Sequence, residues 1–302
     1  LGLRTVVWRL TLIDAIWALQ TIYRPVALLI RSGQTRLIFR LHQNINRHVF
    51  KMSKHDHPLG QQPVEQPIIP LLEGLATTRA IRRYKDEAIP DAHLRDILFS
   101  ATRAPSGSNR QPFRFLVLTN GEKAAQAKAL IAGSAQEIWT QKERDDGYAK
   151  GSGSNPDSPK SRMARTMREY VANFRNVPAL ILPCMIRYRA PDPMEGASVY
   201  PAVQNLLLAA RGLGYGGVIT GFHRPVEAEL KALLEIPDDV FVACTLTLGN
   251  PQGSHGPVRR RPLDEFVFTD SWGNSARWAV DPPGTRFTSA GPPQRKNDDK
   301  EV

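Results

Sequence analysis

Leu94, Ile97, Leu98 and Ala101 recur at helical spacing after Pro90-Asp91, and they predict a helix running through Arg103. Before it, residues 69–78 predict a short helix that feeds an arginine-bearing stretch. The 105–109 loop breaks the second helix, and the compact apolar run 113–118 predicts a buried strand, followed by a helix over 122–132. Residues 133–160 are rich in Gly, Ser, Asp and Lys and read as a long irregular stretch, the usual form of a mobile lid or an insertion. A polar helix is predicted over 162–174 and a second strand over 179–184, after Pro178. Residues 197–213 are helical in pattern and apolar nearly all round, which places that helix in the core. Gly214, Gly216 and Gly217 end it; a short strand (218–220), a helix (226–234) and a strand (241–249) follow. The tail from Ser275 is rich in Pro, Gly and charge and predicts disorder. Such an alternation of helices and strands predicts an α/β or α+β sandwich.

Charge changes the picture only at the N-terminus. The chain carries a formal +11 over 302 residues. Residues 1–60 hold nine basic and two acidic side chains, hence +7, which leaves +4 for the rest (11 − 7). A nucleic-acid or acidic-membrane role would rest on that arm and not on the body. Within the arm, the apolar residues 6–23 are interrupted by Arg9, Asp14 and Gln20. An Asp near the centre of a membrane span costs about 2.5–3.5 kcal/mol, so a spanning helix is disfavoured, and no signal-peptide cleavage pattern follows. Two readings stand: a basic amphipathic helix on an anionic membrane, or a natural start at Met52 that leaves 1–51 outside the mature protein. The second is preferred. Residues 52–68, polar and Pro/Gln-rich, read as a linker to a domain over 69–274 with a lid at about 134–170. Cys184 and Cys244 lie in apolar runs with no disulfide or metal spacing, which favours buried, inert thiols in a reducing, cytoplasmic setting. No metal site is expected.

Three stretches carry the candidate chemistry: Thr78-Arg79-Ala80-Ile81-Arg82-Arg83-Tyr84, Ala104-Pro105-Ser106-Gly107-Ser108-Asn109-Arg110-Gln111-Pro112-Phe113, and Val258-Arg259-Arg260-Arg261-Pro262. A guanidinium stays charged and donates paired hydrogen bonds, which suits phosphate. The Ser-Gly-Ser-Asn loop adds donors that can read the edge of a polar ring. Singly, each reads as a solvated charge run or a turn. There is no Walker loop, no GxGxxG after a strand and no Ser-His-Asp arrangement; His93, His223 and His255 stand alone and read as surface or packing residues.

Taken in order, these stretches resemble the FMN-dependent nitroreductase family over about residues 70–270. The Ala104–Phe113 loop is similar to that family's Pro-Ser-x-x-Asn-x-Gln-Pro-aromatic loop. Ala202–Gly217 resembles its central helix and glycine turn, and Leu246–Gly249 with Arg259–Pro262 its closing strand and basic segment. The resemblance implies a three-layer sandwich with a central mixed sheet flanked by helices. It also implies a homodimer with FMN at the subunit interface. Arg79, Arg82, Arg259 and Arg260 would then take the phosphate and ribityl end, with Ala80 and Ile81 in the same segment, and Arg82 near the N1–O2 edge. Ser106, Ser108, Asn109 and Gln111 would line the partner's flavin, with Asn109 on the pyrimidine edge, and Thr220 and Gly221 would set a backbone N–H near N5. NAD(P)H would be the co-substrate in ping-pong turnover with a nitroaromatic, quinone-like or other electron-poor acceptor, and no side-chain acid or base is needed. Thr78 and Ala80 depart from the family's Arg-Arg-Ser, which puts the phosphate contacts in question. Trp139, Tyr148 and Tyr170 are candidate stacking groups of the lid; the plain alternative is that they pack. The Glu and Tyr four residues apart of the dehalogenating relatives are absent from the lid. The alternatives are a specialised flavoprotein of the same fold, dehalogenating or flavin-fragmenting, and a non-enzymatic basic adaptor that uses residues 1–60.

Overall fold

The computed structural model describes residues 69–289. The N-terminal extension and linker expected over 1–51 and 52–68 lie outside the described residues, as do residues 290–302 of the tail. From Ile69 the chain forms helix α1 (Leu71–Thr77), an extended arginine-bearing segment, α2 (Asp91–Ala101), β1 (Phe113–Leu118), α3 (Glu122–Asp145), α4 (Pro159–Ala172), β2 (Ala179–Ile186), α5 (Tyr200–Gly212), β3 (Gly216–Thr220), α6 (Glu227–Leu234), β4 (Val240–Val242) and β5 (Thr245–Gly249).

The sheet runs β1-β2-β5-β3, with β4 also on β2, and among the described residues every pair of these strands is antiparallel. The mixed sheet implied by the resemblance is therefore corrected. Between β1 and β2 the chain passes through two helices, α3 and α4, and three reversals bring it back antiparallel where the two reversals of a single crossover helix would give a parallel pair. The strand expected over 241–249 is broken into β4 and β5 at Ala243-Cys244. Pro183 of β2 faces that break, where its missing N–H removes no ladder bond, and its carbonyl accepts from Ala243 N–H at 2.9 Å.

Helices cover both faces. Leu180, Leu182, Cys184 and Val218 pack against α3, α4 and α6 on one side. Ile181, Leu246 and Leu248 pack against Leu94 and Ile97 of α2 and Val203, Leu206 and Ala210 of α5 on the other. The α/β three-layer arrangement is thus present, and the apolar α5 sits in the core as its pattern predicts.

Two expectations fail for one reason, tertiary burial. Helix α3 does not stop at Ala132 but continues to Asp145, because Ile131, Ala135 and Trp139 keep one buried stripe across Gly133-Ser134. A glycine inside a helix costs only about 1 kcal/mol against alanine, less than that stripe returns. The irregular part of the proposed lid shrinks to 146–158, and Trp139 and Tyr170, each 2% exposed, are core residues and not exposed stacking groups. Tyr148, half-buried, packs on Trp139 with ring centroids 5.2 Å apart. The tail, read as disordered from Ser275, is placed through 289. Ala276 and Ala279 are buried, Asp281 accepts from Leu263 N–H at 2.9 Å, and Thr288 N–H donates to Arg260 O at 3.0 Å.

Candidate functional site

The foot of β3 is where the arginine segment meets the sheet. Ile81 N–H donates to Gly217 O at 3.0 Å on the outer edge of the strand. Close approach requires glycine there: a Cβ on Gly216 would lie 2.4 Å from Ile81 Cγ1, and one on Gly217 would lie 2.6 Å from Thr247 O. A hydroxyl chain fixes the segment from behind. Tyr84 O–H donates to Ile81 O at 2.7 Å, and the Tyr84 and Tyr170 phenols each lie 2.8 Å from Thr247 Oγ1. Since each hydroxyl donates once, the order Tyr170 to Thr247 to Tyr84 to Ile81 O satisfies all three. Burial pushes both phenols well above their ordinary range, so the chain stays protonated.

Cationic groups gather at this foot. Arg79 Nη2 donates to Ser254 O at 3.1 Å, and Val258 N–H donates to Ala76 O at 2.9 Å. The loop bearing Arg259 and Arg260 thereby returns beside Arg79 and Ala80, and these three arginines are exposed. Behind them, Arg211 at the end of α5 donates from Nη2 to Thr77 Oγ1 at 3.3 Å, and His255 Nε2 lies 3.0 Å from Tyr215 O. Arg211 Nε and His255 Nδ1 are buried without a hydrogen-bond partner. Arg82, one residue past Ile81, also has a buried, unpartnered Nε, and burial lowers its pKa. It borders a cleft of about 820 Å³ shared with Tyr84, Lys128 and Tyr170. A buried donor without an acceptor costs about 1–3 kcal/mol, and a bound anion is one way to relieve it. Arg79, exposed, and Arg211 behind it are donors of the kind that suits a phosphate.

The Ser-Gly-Ser-Asn loop stands elsewhere. Phe113 at the start of β1 pairs with Met185, whereas the foot of β3 is level with Ala179 at the other end of β2. Six residues of strand are about 20 Å, and the loop is three strands across as well. Within one chain, Asn109 and Arg79 are therefore not brought together. The loop is nonetheless shaped: Ser108, Asn109 and Gln111 have φ of 51°, 51° and 50°, a left-handed conformation that costs about 1–3 kcal/mol at such residues and clusters at functional sites. Ser106 Oγ accepts from Gln111 N–H at 2.9 Å, Gln111 Nε2 donates to Asn109 Oδ1 at 3.1 Å, and Gly107 N–H donates to Ser198 Oγ at 3.3 Å. Ser108, Asn109 and Gln111 are exposed.

Thr220 and Gly221 lie at the head of β3, with Thr220 opposite Thr245. Of the residues singled out in the sequence, Arg79, Ala80, Ile81, Arg82, Arg259 and Arg260 gather at the foot of β3, Thr220 and Gly221 mark its head, and Ser106, Ser108, Asn109 and Gln111 are remote. Sequence reading missed Arg211, His255 and the Tyr170-Thr247-Tyr84 chain. Arg211 did leave a signal, as a cation in the last turn of an otherwise uncharged helix directly before the glycine turn. His223 is a packing residue, 2% exposed and bonded to Thr245 Oγ1 and Val242 O. Among the described residues no helix is long and apolar enough to cross a membrane.

The 4-nitrobenzoate reductase of Nocardioides sp. (strain LMS-CY) is 26% identical over 214 residues, covering 63% of this chain and 85% of that protein. The NADH dehydrogenase of Thermus thermophilus is 24% identical over 214 residues, 67% of this chain and 97% of that one. The crystal structure of the FMN- and NADPH-dependent nitroreductase NfnB from sphigopyxis sp. strain HMH superposes with a TM-score of 0.52 at 22% identity, covering 68% of this chain and all of that one, and shares its fold. Residues 75–250 match the profile of the nitroreductase family, and with more than half of its length covered the chain belongs to that family and is an oxidoreductase.

Proposed function

We propose that the chain is an FMN-dependent NAD(P)H oxidoreductase that reduces nitroaromatic, quinone-like or similar electron-poor acceptors. One observation carries the reading: the Arg79–Arg82 segment is clamped on Gly216-Gly217 at an open sheet edge, with Arg259 and Arg260 brought alongside. Arg79, Arg259 and Arg260 would hold the phosphate, and Arg82 the polar edge of the ring. The backbone at Thr220-Gly221 lies four to five residues up β3 from Gly216, about 13–16 Å, at the other end of the same edge. Bound there, FMN would supply two-electron hydride chemistry between NAD(P)H and the acceptor. The protein holds and orients it, and its buried phenols, all hydrogen-bonded, transfer no proton.

Asn109 and its loop complete such a site only if they come from a second copy. Two features support a homodimer. The loop is exposed and already shaped, and apolar side chains stand exposed on β3, on α1 and over residues 272–280, among them Ile219, Leu72, Trp272, Trp278 and Val280. Such a surface suits burial against a second copy.

Purified protein should be yellow, lose its colour with NADH or NADPH under argon and recover it with a nitroaromatic or quinone. Light scattering should give about twice the 33.7 kDa chain mass. Colourless protein that gains no flavin on reconstitution would overturn the reading.

A further inference from the structure

His255 is in an unbalanced position. Tyr215 O can only accept, so His255 Nε2 must donate to it, and a neutral ring then leaves Nδ1 a buried acceptor that no donor reaches. The backbones of Tyr215 and Thr77 both favour the protonated ring. Burial opposes protonation most strongly, followed by the guanidiniums of Arg211 on α5 and Arg79 on the arginine segment. These are the charged groups acting on the ring; the nearby Tyr215 phenol is engaged by His93 Nδ1 at 2.7 Å, and among the described residues no carboxylate contributes. Burial first, and then two positive charges, disfavour the protonated ring in a place whose hydrogen bonds suit the cation. A dianion beside those guanidiniums would offset their part of that opposition.

Arg211 and His255 lie at the same foot of β3, reached from a different element. We propose that Arg79 and Arg211 clasp the terminal phosphate of the flavin nucleotide, and that His255, behind them, takes up a proton when the phosphate binds. This rests on the flavin-binding reading above. Linkage gives the sign. A group whose pKa rises on binding makes affinity increase as pH falls between its two pKa values, and a rise of one unit is worth tenfold. FMN should therefore bind roughly three- to tenfold more tightly at pH 6.5 than at pH 8. Riboflavin, without phosphate, should show no such gain. The phosphate's own second pKa, about 6, works against the gain, because binding to cations expels its proton.

The test is calorimetric titration of the full chain, stripped of flavin, at pH 7 in two buffers of different ionisation enthalpy, with FMN and with riboflavin. Wild-type protein should take up protons with FMN and none with riboflavin. His255→Gln keeps an N–H for Tyr215 O but cannot titrate, and should lose the uptake; His255→Asn serves if the glutamine variant does not fold. Arg211→Met should weaken FMN tenfold or more and leave riboflavin unchanged. Equal proton uptake in wild type and His255→Gln, or unchanged FMN affinity in a folded Arg211→Met, would overturn the inference. Wild-type protein that binds neither flavin would overturn the flavin reading itself and this inference with it; binding of both with no uptake would overturn the inference alone.

Discussion

Replacing Gly216 by alanine puts a Cβ 2.4 Å from Cγ1 and 2.8 Å from Cβ of Ile81. Carbon atoms in favourable contact sit at about 3.5–4.0 Å, so the two residues must part by about 1 Å. Ile81 cannot swing away, because the offended atoms lie next to its backbone and its side chain is buried. The segment has to lift, and the bond from Ile81 N–H to Gly217 O, 3.0 Å long, stretches with it. Overpacking costs about 1–3 kcal/mol and a lost hydrogen bond about 1 kcal/mol. The sum, about 2–4 kcal/mol, corresponds to a fall of roughly 5–12 °C in melting temperature for a domain of this size. Arg79 moves with the segment, so FMN affinity should drop more than tenfold. Thermal melts and fluorescence titration with FMN read both effects. Ile81→Ala removes the Cγ1 contact and keeps Cβ, so the double variant should be less destabilised than the sum of the two singles by about 1 kcal/mol or more. A Gly216→Ala protein with unchanged melting and flavin affinity, or strictly additive double-variant energetics, would refute the seating of Ile81 on Gly216.

Arg82→Met removes a buried cation whose Nε has no partner, so the flavin-free protein should melt no lower than wild type while FMN affinity falls at least tenfold; a parallel loss of both would mean that Arg82 is structural. Tyr170→Phe deprives Thr247 Oγ1 of its donor and should cost about 1–3 kcal/mol in denaturant unfolding; no change would break the hydroxyl chain. Neutralising the Arg83–Glu169 pair, 2.6 Å apart but more than 40% exposed on each side, should change stability by less than about 1 kcal/mol. Burial pushes Cys184 up to about 11 and Cys244 up to about 12. The folded state then holds protons that the unfolded chain releases near its ordinary thiol pKa. The stability they contribute is full below about pH 8.5 and declines as pH rises through 11 to 12. At pH 8 both thiols should resist a thiol reagent until denaturant is added; rapid labelling of native protein would contradict their burial.

The parts of the fold legible in the sequence were those specified by local pattern. Leu94, Ile97 and Ala101 mark α2, the compact apolar run interrupted only by Arg114 marks β1, and the helix apolar nearly all round marks the core. Helix α3 was cut short because Gly133-Ser134 looks like a stop, whereas Ile131, Ala135 and Trp139 carry the buried stripe through it. Trp139 and Tyr170 were drawn into a lid by a polar composition that belongs to the solvent side of their helices. The gathering of Arg79 with Arg259 and Arg260 could be anticipated because arginine runs announce themselves. His255 and Arg211 could not: each is solitary in sequence, and only the turn of the chain at Gly214–Gly217 sets them beside Thr77 and Arg79. The Asn109 loop stands out in the sequence as a motif, but no local signal tells that it lies at the far end of the sheet from the arginines of its own chain.

That separation makes mixed dimers the most direct measurement. Chains carrying Arg79→Ala and chains carrying Asn109→Ala, each defective in flavin-dependent NAD(P)H oxidation alone, are differently tagged, co-expressed and isolated as the heterodimer. If every site takes its arginine from one subunit and its asparagine from the other, one of the two sites in the heterodimer is intact and the other doubly damaged. Activity and flavin content should then recover to about half of wild type. Recovery of nothing beyond the two parents would mean that the two residues do not serve one site across the subunit boundary.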